Sequence, residues 1–276
     1  MITIKTPEEI DLMRIAGKIV GDTHKELQKH IKPGVTTKQL DTIAEEYILS
    51  KGAIPSFKNY EGYPASICTS VNEQVVHGIP DNYELQEGDI ISIDIGASYK
   101  GYHGDSAWTY SVGKISSEKA YLLRHTEESL FAGLSKIKDG AKVGDISNAV
   151  EMHAKKYNLG VVKELVGHGV GTSLHEEPDV PNYGKSNKGP ILKKGMTIAV
   201  EPMLNLGTSK VYLLEDDWTV ITADYKPSAH FEHTVLVTED GYEILTKRWL
   251  YGKRWYYRNR RKDSRSIAKW RVQSRT

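Results

Sequence analysis

Four carboxylates stand in stretches of the sequence that otherwise have the composition of buried β-strands. Asp94 and Glu201 follow runs of β-branched and small residues, and Asp105 and Glu232 also have strand-like surroundings. Alternation along a strand could place any one of them on a solvent face, because acids are seldom buried. Four such residues in one chain favour a shared interior site instead.

These acids have no basic residue close to them in the sequence. Carboxylates that are crowded together in a medium of low dielectric cannot all ionise without a counter-charge. Divalent metal ions supply that charge and accept carboxylate ligands. The sequence therefore predicts a site for one or two divalent ions. Lys and Arg are absent from residues 90–98, 104–110, 197–207 and 229–237.

Three histidines lie in segments rich in Gly or Pro. His168 stands between glycines, where backbones can approach closely, while His175 precedes Glu-Glu-Pro and His77 precedes Gly-Ile-Pro. A single histidine is more often an ordinary surface or core residue, but these contexts beside an acid cluster favour ligands or proton-transfer groups. His230 and His233 flank the last of the four acids, and their role stays open. The remaining histidines are interpreted as ordinary residues: His24, His30, His103, His125 and His153.

An internal repeat accounts for the placement of the acids. Residues 85–94 align with residues 192–201, so that Asp94 corresponds to Glu201. Each half contains two amphipathic helices before its strands. Thr6 caps the first helix in this interpretation, and the corresponding helix of the second half starts near Ser117. We predict an α+β fold of two related halves, over about 6–113 and 117–245, around one shared core.

Composition and charge exclude several classes of protein. The 276 residues are 39% hydrophobic and 26% charged, which fits a globular protein rather than a disordered or fibrous one. Cys68 has no partner for an internal disulfide, and the N-terminal residues lack the layout of a signal peptide, so the expected location is the cytoplasm. Residues 247–276 hold twelve Lys and Arg and one acid, against 25 basic and 35 acidic residues elsewhere. An acidic globule therefore carries a basic, aromatic tail.

The ordered motifs resemble those of bacterial type I methionine aminopeptidases, over residues 1–246. The resemblance implies a catalytic domain over that range with the pita-bread fold, whose halves are related by approximate two-fold symmetry. The motifs are Ile-Asp-Ile-Gly at 93–96, an aspartate at 105, Gly-His-Gly-Val-Gly at 167–171, His-Glu-Glu-Pro at 175–178, Val-Glu-Pro-Met at 200–203 and Phe-Glu-His-Thr at 231–234.

The same resemblance implies roles for individual residues. A hydroxide between two divalent ions, of Co, Mn, Fe or Zn, would attack the first peptide bond, with Glu201 as proton acceptor. His77 and His175 would contact the scissile peptide and the tetrahedral intermediate. The implied ligands are Asp94, Asp105, His168, Glu201 and Glu232. The implied methionine pocket comprises Tyr60, Tyr63, Cys68, Leu174 and Trp218, with Phe57 at its edge; Leu174 and His230 stand where the family leads us to expect an aromatic residue and glutamine.

The implied activity is removal of N-terminal methionine from nascent proteins and peptides whose second residue is small. An X-Pro aminopeptidase or prolidase, which shares fold and ligands, is one alternative, and a non-catalytic pita-bread protein that binds the ribosome is another. A monomer is expected, without membrane attachment. The tail over 247–276 is either an extension without a selected role or a contact to ribosomal RNA, since its basic residues can pair with phosphates and its aromatic rings can stack on bases.

Overall fold

The computed structural model describes residues 2–248, which form a mixed structure of helices and antiparallel strands. Among these residues, no helix is both long enough and apolar enough to span a membrane. The helices are α1 (Pro7–Gln28), α2 (Thr37–Ser50), α3 (Ser117–Leu134) and α4 (Val143–Lys156), with a 3₁₀ helix over Tyr60–Gly62. The strands are β1 (Ile54–Pro55), β2 (Ile67–Val71), β3 (Gln74–Val76), β4 (Ile90–Tyr99), β5 (Tyr102–Ser111), β6 (Gly160–Val161), β7 (Gly167–Gly169), β8 (Glu176–Val180), β9 (Thr197–Val200), β10 (Met203–Asn205), β11 (Val211–Leu213), β12 (Val220–Thr222), β13 (Ser228–His230), β14 (His233–Val237) and β15 (Tyr242–Ile244).

The two long helices begin where the sequence predicts them. The hydroxyl of Thr6 accepts a hydrogen bond from the backbone N–H of Glu9 at 3.3 Å, and the Glu9 carboxylate accepts one from the Thr6 N–H at 2.7 Å. This capping box satisfies two amide groups at the start of α1. Helix α3 begins at Ser117, after a cap in which the Ser116 hydroxyl accepts a hydrogen bond from the Lys119 N–H.

The predicted acids lie in or directly beside strands of the two larger sheets. In the first, β4 lies between β5 on one side and β2 and β1 on the other. The second has the strand order β15-β14-β9-β7-β8, and two three-stranded sheets have the orders β13-β10-β6 and β11-β12-β3. The largest apolar cluster takes residues from all four helices and from both larger sheets. The predicted combination of helices and strands around a shared core is therefore present.

The hairpin of β4 and β5 explains the spacing of the first two acids. Its turn has two central residues, Lys100 and Gly101, with φ of 50° and 83°, the signature of a tight hairpin whose twist suits the strands. The resulting register sets Asp94 opposite Ala107 and Gly96 opposite Asp105. The two aspartates are thus diagonal neighbours on one face of the hairpin.

Hydrogen bonds from β5 to the segment around β14 join the two halves. The hydroxyl of Thr234 donates to the Asp105 carbonyl at 2.7 Å and accepts from the Asp105 N–H at 3.1 Å. The Ser106 hydroxyl donates to the Glu232 carbonyl at 2.7 Å, and the Glu232 N–H donates to the Ala107 carbonyl at 2.8 Å. These bonds place the second aspartate of the first half beside the last glutamate of the second.

Candidate metal and peptide site

All five expected ligands line one cavity of about 200 Å³. Asp94 and Asp105 lie within their strands, as predicted, whereas Glu201 lies one residue beyond β9 and Glu232 lies between β13 and β14. Pro202 accounts for the end of β9, because proline has no N–H to donate to a strand ladder. The lining includes Asp94, Asp105, His168, Glu201 and Glu232.

The raised pKa values of these acids show that their ionisation is opposed unless a positive charge lies nearby. Burial raises the pKa of Asp94 to about 6 and that of Glu201 to about 8. Burial and the neighbouring carboxylates raise the pKa of Asp105 and of Glu232 well above the usual range. Within residues 2–248, the ion-pair partners of these acids are the imidazoles of His168 and His230. No Lys or Arg described in the structure neutralises them.

Unpartnered oxygen atoms provide a test of whether the site fits a metal ion. Asp94 Oδ1, Asp105 Oδ1 and Glu232 Oε1 are buried and have no hydrogen-bond partner among the described residues. Buried polar atoms are almost always paired, so three unpaired acceptors at one cavity fit a site that binds a cation. One ligand atom each from Asp105, His168 and Glu232 lies within 4.8 Å of the others. The donor set therefore fits divalent metal ions.

The orientation of His168 suits the expected role of a metal ligand. Its Nδ1 lies 2.8 Å from the Gly169 carbonyl oxygen, so Nδ1 carries the proton and the lone pair is on Nε2. That nitrogen lies 3.5 Å from Glu201 Oε1 and 3.9 Å from Asp105 Oδ2. Burial lowers the pKa of His168 to about 3, which keeps the ring neutral.

The glycines beside His168 permit the close approach that the sequence predicts. A Cβ atom on Gly167 would lie 2.4 Å from the Ala199 carbonyl oxygen, and one on Gly169 would lie 2.3 Å from the Glu177 carbonyl oxygen. Any side chain at either position would force the strands of this sheet apart. The flanking glycines therefore allow β7 to bring its imidazole to the acids.

His175 and His77 face the same cavity without joining the carboxylates. The Tyr60 hydroxyl lies 2.9 Å from Nδ1 of His175, whose ring packs edge-on against that of His168 at 4.2 Å between centroids. His77 has a φ of 59°, a left-handed conformation that is uncommon for residues other than glycine. Burial lowers the pKa of His77 to about 4.

Apolar and aromatic residues line part of the same cavity. It includes all the positions expected from the methionine pocket. The rings of Tyr63 and Trp218 meet edge-on at 5.1 Å, and the Tyr63 hydroxyl donates to the carbonyl groups of Ile67 and Gly78. The residues packed together are Phe57, Tyr60, Tyr63, Cys68, Leu174 and Trp218.

His230 belongs to the site, although the sequence left its role open. Its Nε2 is buried, has no hydrogen-bond partner among residues 2–248 and lies 3.5 Å from Glu201 Oε2. Its backbone N–H and carbonyl both bond to the Thr109 hydroxyl, which fixes its position against β5. The available signal was its place two residues before Glu232, on the same face of an extended chain.

Three of the histidines interpreted as ordinary lie outside the lining of the cavity. His24 is buried, with ring nitrogens 3.0 Å from the Tyr110 hydroxyl and 2.8 Å from the Ser106 carbonyl, as an ordinary core residue would be. His125 and His153, also interpreted as ordinary, lie side by side with ring centroids 5.8 Å apart. Most of the tail lies outside the described residues.

Comparison with known proteins yields a consistent set of relatives. The model of metallopeptidase family M24 matches residues 11–239. Methionine aminopeptidase 1 of Bacillus subtilis is 57% identical over 247 residues, which cover 90% of this chain and 100% of that protein. The crystal structure of methionine aminopeptidase from Rickettsia prowazekii has a TM-score of 0.88 at 42% identity, covering 90% of this chain and 100% of that one.

A prolidase shares the architecture at a greater distance. The prolidase from Pyrococcus furiosus has a TM-score of 0.71 at 25% identity, and the match covers 88% of this chain but 65% of the prolidase. The architecture is the pita-bread fold, as predicted. Both identity and coverage favour the aminopeptidase relatives over the prolidase.

Proposed function

The chain belongs to metallopeptidase family M24, and we propose on that premise that it removes the N-terminal methionine from peptides and nascent proteins whose second residue is small. It is a metal-dependent hydrolase. The observation that carries the proposal is the lining of one cavity, which combines carboxylate oxygens that have no partner among the described residues with an apolar cluster. Such a cavity can hold an apolar side chain while its backbone amide lies against the acids.

Metal ions would be held by the carboxylates and by Nε2 of His168. We assign two divalent ions to this ligand set because it includes four carboxylates, more than one divalent ion needs for neutralisation. Bound divalent ions supply a Lewis acid and lower the pKa of water at the site. Co, Mn, Fe and Zn all suit carboxylate and imidazole ligands. The proposed ligands are Asp94, Asp105, His168, Glu201 and Glu232.

Proton transfer and contacts to the substrate are assigned to three residues of the chain. Glu201 accepts the proton of the attacking water and returns it to the leaving amine. Tyr60 holds Nδ1 of His175, which leaves Nε2 as the nitrogen that contacts the scissile peptide. His77 contacts the tetrahedral intermediate from the side of Trp218, whose ring centroid lies 6.4 Å from its own.

The apolar cluster sets specificity for methionine. Its aromatic rings and the Cys68 thiol surround a space that suits an unbranched thioether, which gains from contacts with aromatic edges. Leu174 is buried, at 3% exposure, and stands where the family leads us to expect a larger ring.

The test of this function compares peptides on purified full-length protein. We expect rapid cleavage of Met-Ala-Ser, loss of that activity after chelation, and its return with Co, Mn, Fe or Zn added separately under anaerobic conditions. Preferential cleavage of a peptide that begins Ala-Pro would favour the X-Pro alternative. Failure to cleave either peptide with every metal would leave a non-catalytic binding protein as the better description.

The basic tail adds a proposal of a different kind. Residues 247–276 would hold the enzyme at ribosomal RNA, near the nascent chains that it processes, and the enzyme would act as a monomer in the cytoplasm. The composition of the tail supports this, since aromatic residues are interleaved with basic ones over residues 247–258. The catalytic site does not depend on it.

A further inference from the structure

A second cluster of histidine and carboxylate side chains lies between α3 and α4. His125 and Glu128 are one turn apart on α3, so their side chains share one face of the helix. His153 approaches from α4. His125 Nδ1 lies 3.0 Å from Glu128 Oε2, and His153 Nε2 lies 3.7 Å from the same oxygen. None of the three residues lines the catalytic cavity.

These distances are close to those of a metal site. In a tetrahedral zinc site with bonds of about 2.0–2.1 Å, neighbouring ligand atoms are about 3.3 Å apart. One ligand atom from each of the three residues lies within 4.8 Å of the others. Two imidazoles and one carboxylate also form a ligand set that zinc commonly uses, with solvent in the fourth position.

A buried nitrogen atom without a hydrogen-bond partner fits a bound metal ion here as well. Nε2 of His153 is buried and has no hydrogen-bond partner in the described part of the chain, although it faces the Glu128 carboxylate. The two carboxylate oxygens of Glu128 have different neighbours. Arg124 Nε donates to Oε1 at 2.9 Å, whereas Oε2 faces both histidines. The Glu128 side chain is 40% exposed, which leaves a path for an ion from solvent.

The surroundings hold the ligands in place. The ring of His125 stacks on Tyr157 at 3.7 Å and meets Tyr121 edge-on at 4.4 Å. The Tyr121 hydroxyl donates to the Tyr157 carbonyl, which joins α3 to the end of α4. Packed aromatic neighbours of this kind limit the reorientation that a ligand needs before it binds a metal ion.

We propose that His125, Glu128 and His153 form a zinc site that links α3 to α4. The ion takes Oε2 of Glu128 and one nitrogen from each histidine, and it displaces the hydrogen bond between His125 and Glu128. The proton on the bonded nitrogen of His125 passes to the other ring nitrogen or to solvent. The ion thereby stabilises the helix pair of the second half by binding the folded state. This inference does not depend on the proposed catalytic function.

Counting zinc tests the proposal. Full-length protein is stripped with a chelator and dialysed to equilibrium against micromolar free Zn²⁺, and zinc per chain is measured by elemental analysis. Wild type should hold one ion per chain more than His153→Gln, and Glu128→Gln should show the same loss. Equal zinc content in wild type and both variants would overturn the proposal.

A matched control separates this site from the general effect of losing a histidine. His30 lies 3.6 Å from Glu26 at the end of α1, and we expect His30→Gln to keep the wild-type zinc content. Cleavage of Met-Ala-Ser by His153→Gln should equal that of wild type once the catalytic metal is supplied. A zinc loss as large in His30→Gln as in His153→Gln would contradict a specific site.

Discussion

Two buried aspartates of the first half differ in what surrounds them. Asp41 on α2 is 2% exposed, and its Oδ1 accepts hydrogen bonds from the backbone N–H groups of Ser66 at 2.8 Å and Ile67 at 3.2 Å, while Lys38 Nζ lies 3.0 Å from Oδ2. Asp105 is 3% exposed, but its Oδ1 has no hydrogen-bond partner among residues 2–248, and its neighbours are other carboxylates and the neutral imidazole of His168. Burial alone therefore does not mark a reactive acid. A reactive acid is marked by burial that lacks both hydrogen-bond donors to the carboxylate oxygens and a nearby cation.

The difference has opposite consequences for stability. Asp41 stabilises the fold by itself, because its charge meets three hydrogen-bond donors. Asp105 destabilises the metal-free fold, because burial beside other carboxylates opposes the ionisation that the unfolded chain allows. The acids of the cavity thus lower the stability of the metal-free fold while forming a binding site, as functional sites commonly do.

The largest expected effect concerns the acid assigned as proton acceptor. Glu201→Gln removes a ligand charge and the proton acceptor while keeping the shape of the side chain. We expect kcat/KM for Met-Ala-Ser to fall by a factor of about 10³ or more, equivalent to about 4 kcal/mol. Circular dichroism should show a retained fold. Near-normal turnover would exclude the proposed mechanism.

The two histidines outside the carboxylate cluster come next. His77→Ala and His175→Ala should each lower kcat by about 10²-fold, because each side chain contacts the substrate during the reaction. Metal content should stay close to that of wild type. Elemental analysis that shows lost metal in His175→Ala would make this residue a ligand instead.

Matched substitutions of the two aspartates test the comparison directly. In the presence of a chelator, Asp41→Asn should lower the free energy of unfolding by about 1–3 kcal/mol, because a charge-assisted acceptor is lost. Asp105→Asn should raise it by about 1 kcal/mol, because one of several crowded carboxylates is removed. Urea unfolding measures both. If both substitutions change the free energy of unfolding in the same direction, the contrast between Asp41 and Asp105 is refuted.

The smallest effect on catalysis should come from removing the tail. Truncation after residue 246 or 248 should leave cleavage of Met-Ala-Ser unchanged while weakening co-sedimentation with ribosomes. Binding by the full-length protein should fall steeply with salt, as counterion release requires. Equal sedimentation of full-length and truncated proteins at every salt concentration would support an extension without a selected role.

The two truncation points also differ in a measurable way. The Arg248 guanidinium lies 3.5 Å from the centroid of the Trp108 ring and donates to the Tyr110 hydroxyl at 3.1 Å. A cation over an aromatic ring contributes about 0.5–2 kcal/mol. Thermal unfolding should therefore show lower stability after truncation at 246 than at 248.

Sequence reasoning located the acids because their contrast with neighbouring residues is local. A carboxylate in a run of β-branched residues is conspicuous in any chain, and the repeat aligned Asp94 with Glu201 without structural information. His168 was likewise found from the glycines on either side. The α+β fold followed from the order of helices and strands within each half.

Other features depend on contacts that no local pattern encodes. His230 joins the cavity because Thr109, on a strand of the other half, fixes its backbone. His125 and His153 are 28 positions apart, and only the packing of α3 against α4 brings them together. Arg248 belongs by composition to the tail, yet it packs on the β5 strand.

The hydrogen bonds between β5 and the segment around β14 bear on how such a molecule could have arisen. The first half supplies Asp94 and Asp105, and the second supplies His168, Glu201 and Glu232. A polypeptide that contained one half would hold two or three of these groups, and pairing with a second copy of itself would double that number at one site. Gene duplication and fusion of such a symmetric homodimer would give one chain. Corresponding positions of the two copies could then differ, as Asp94 and Glu201 do.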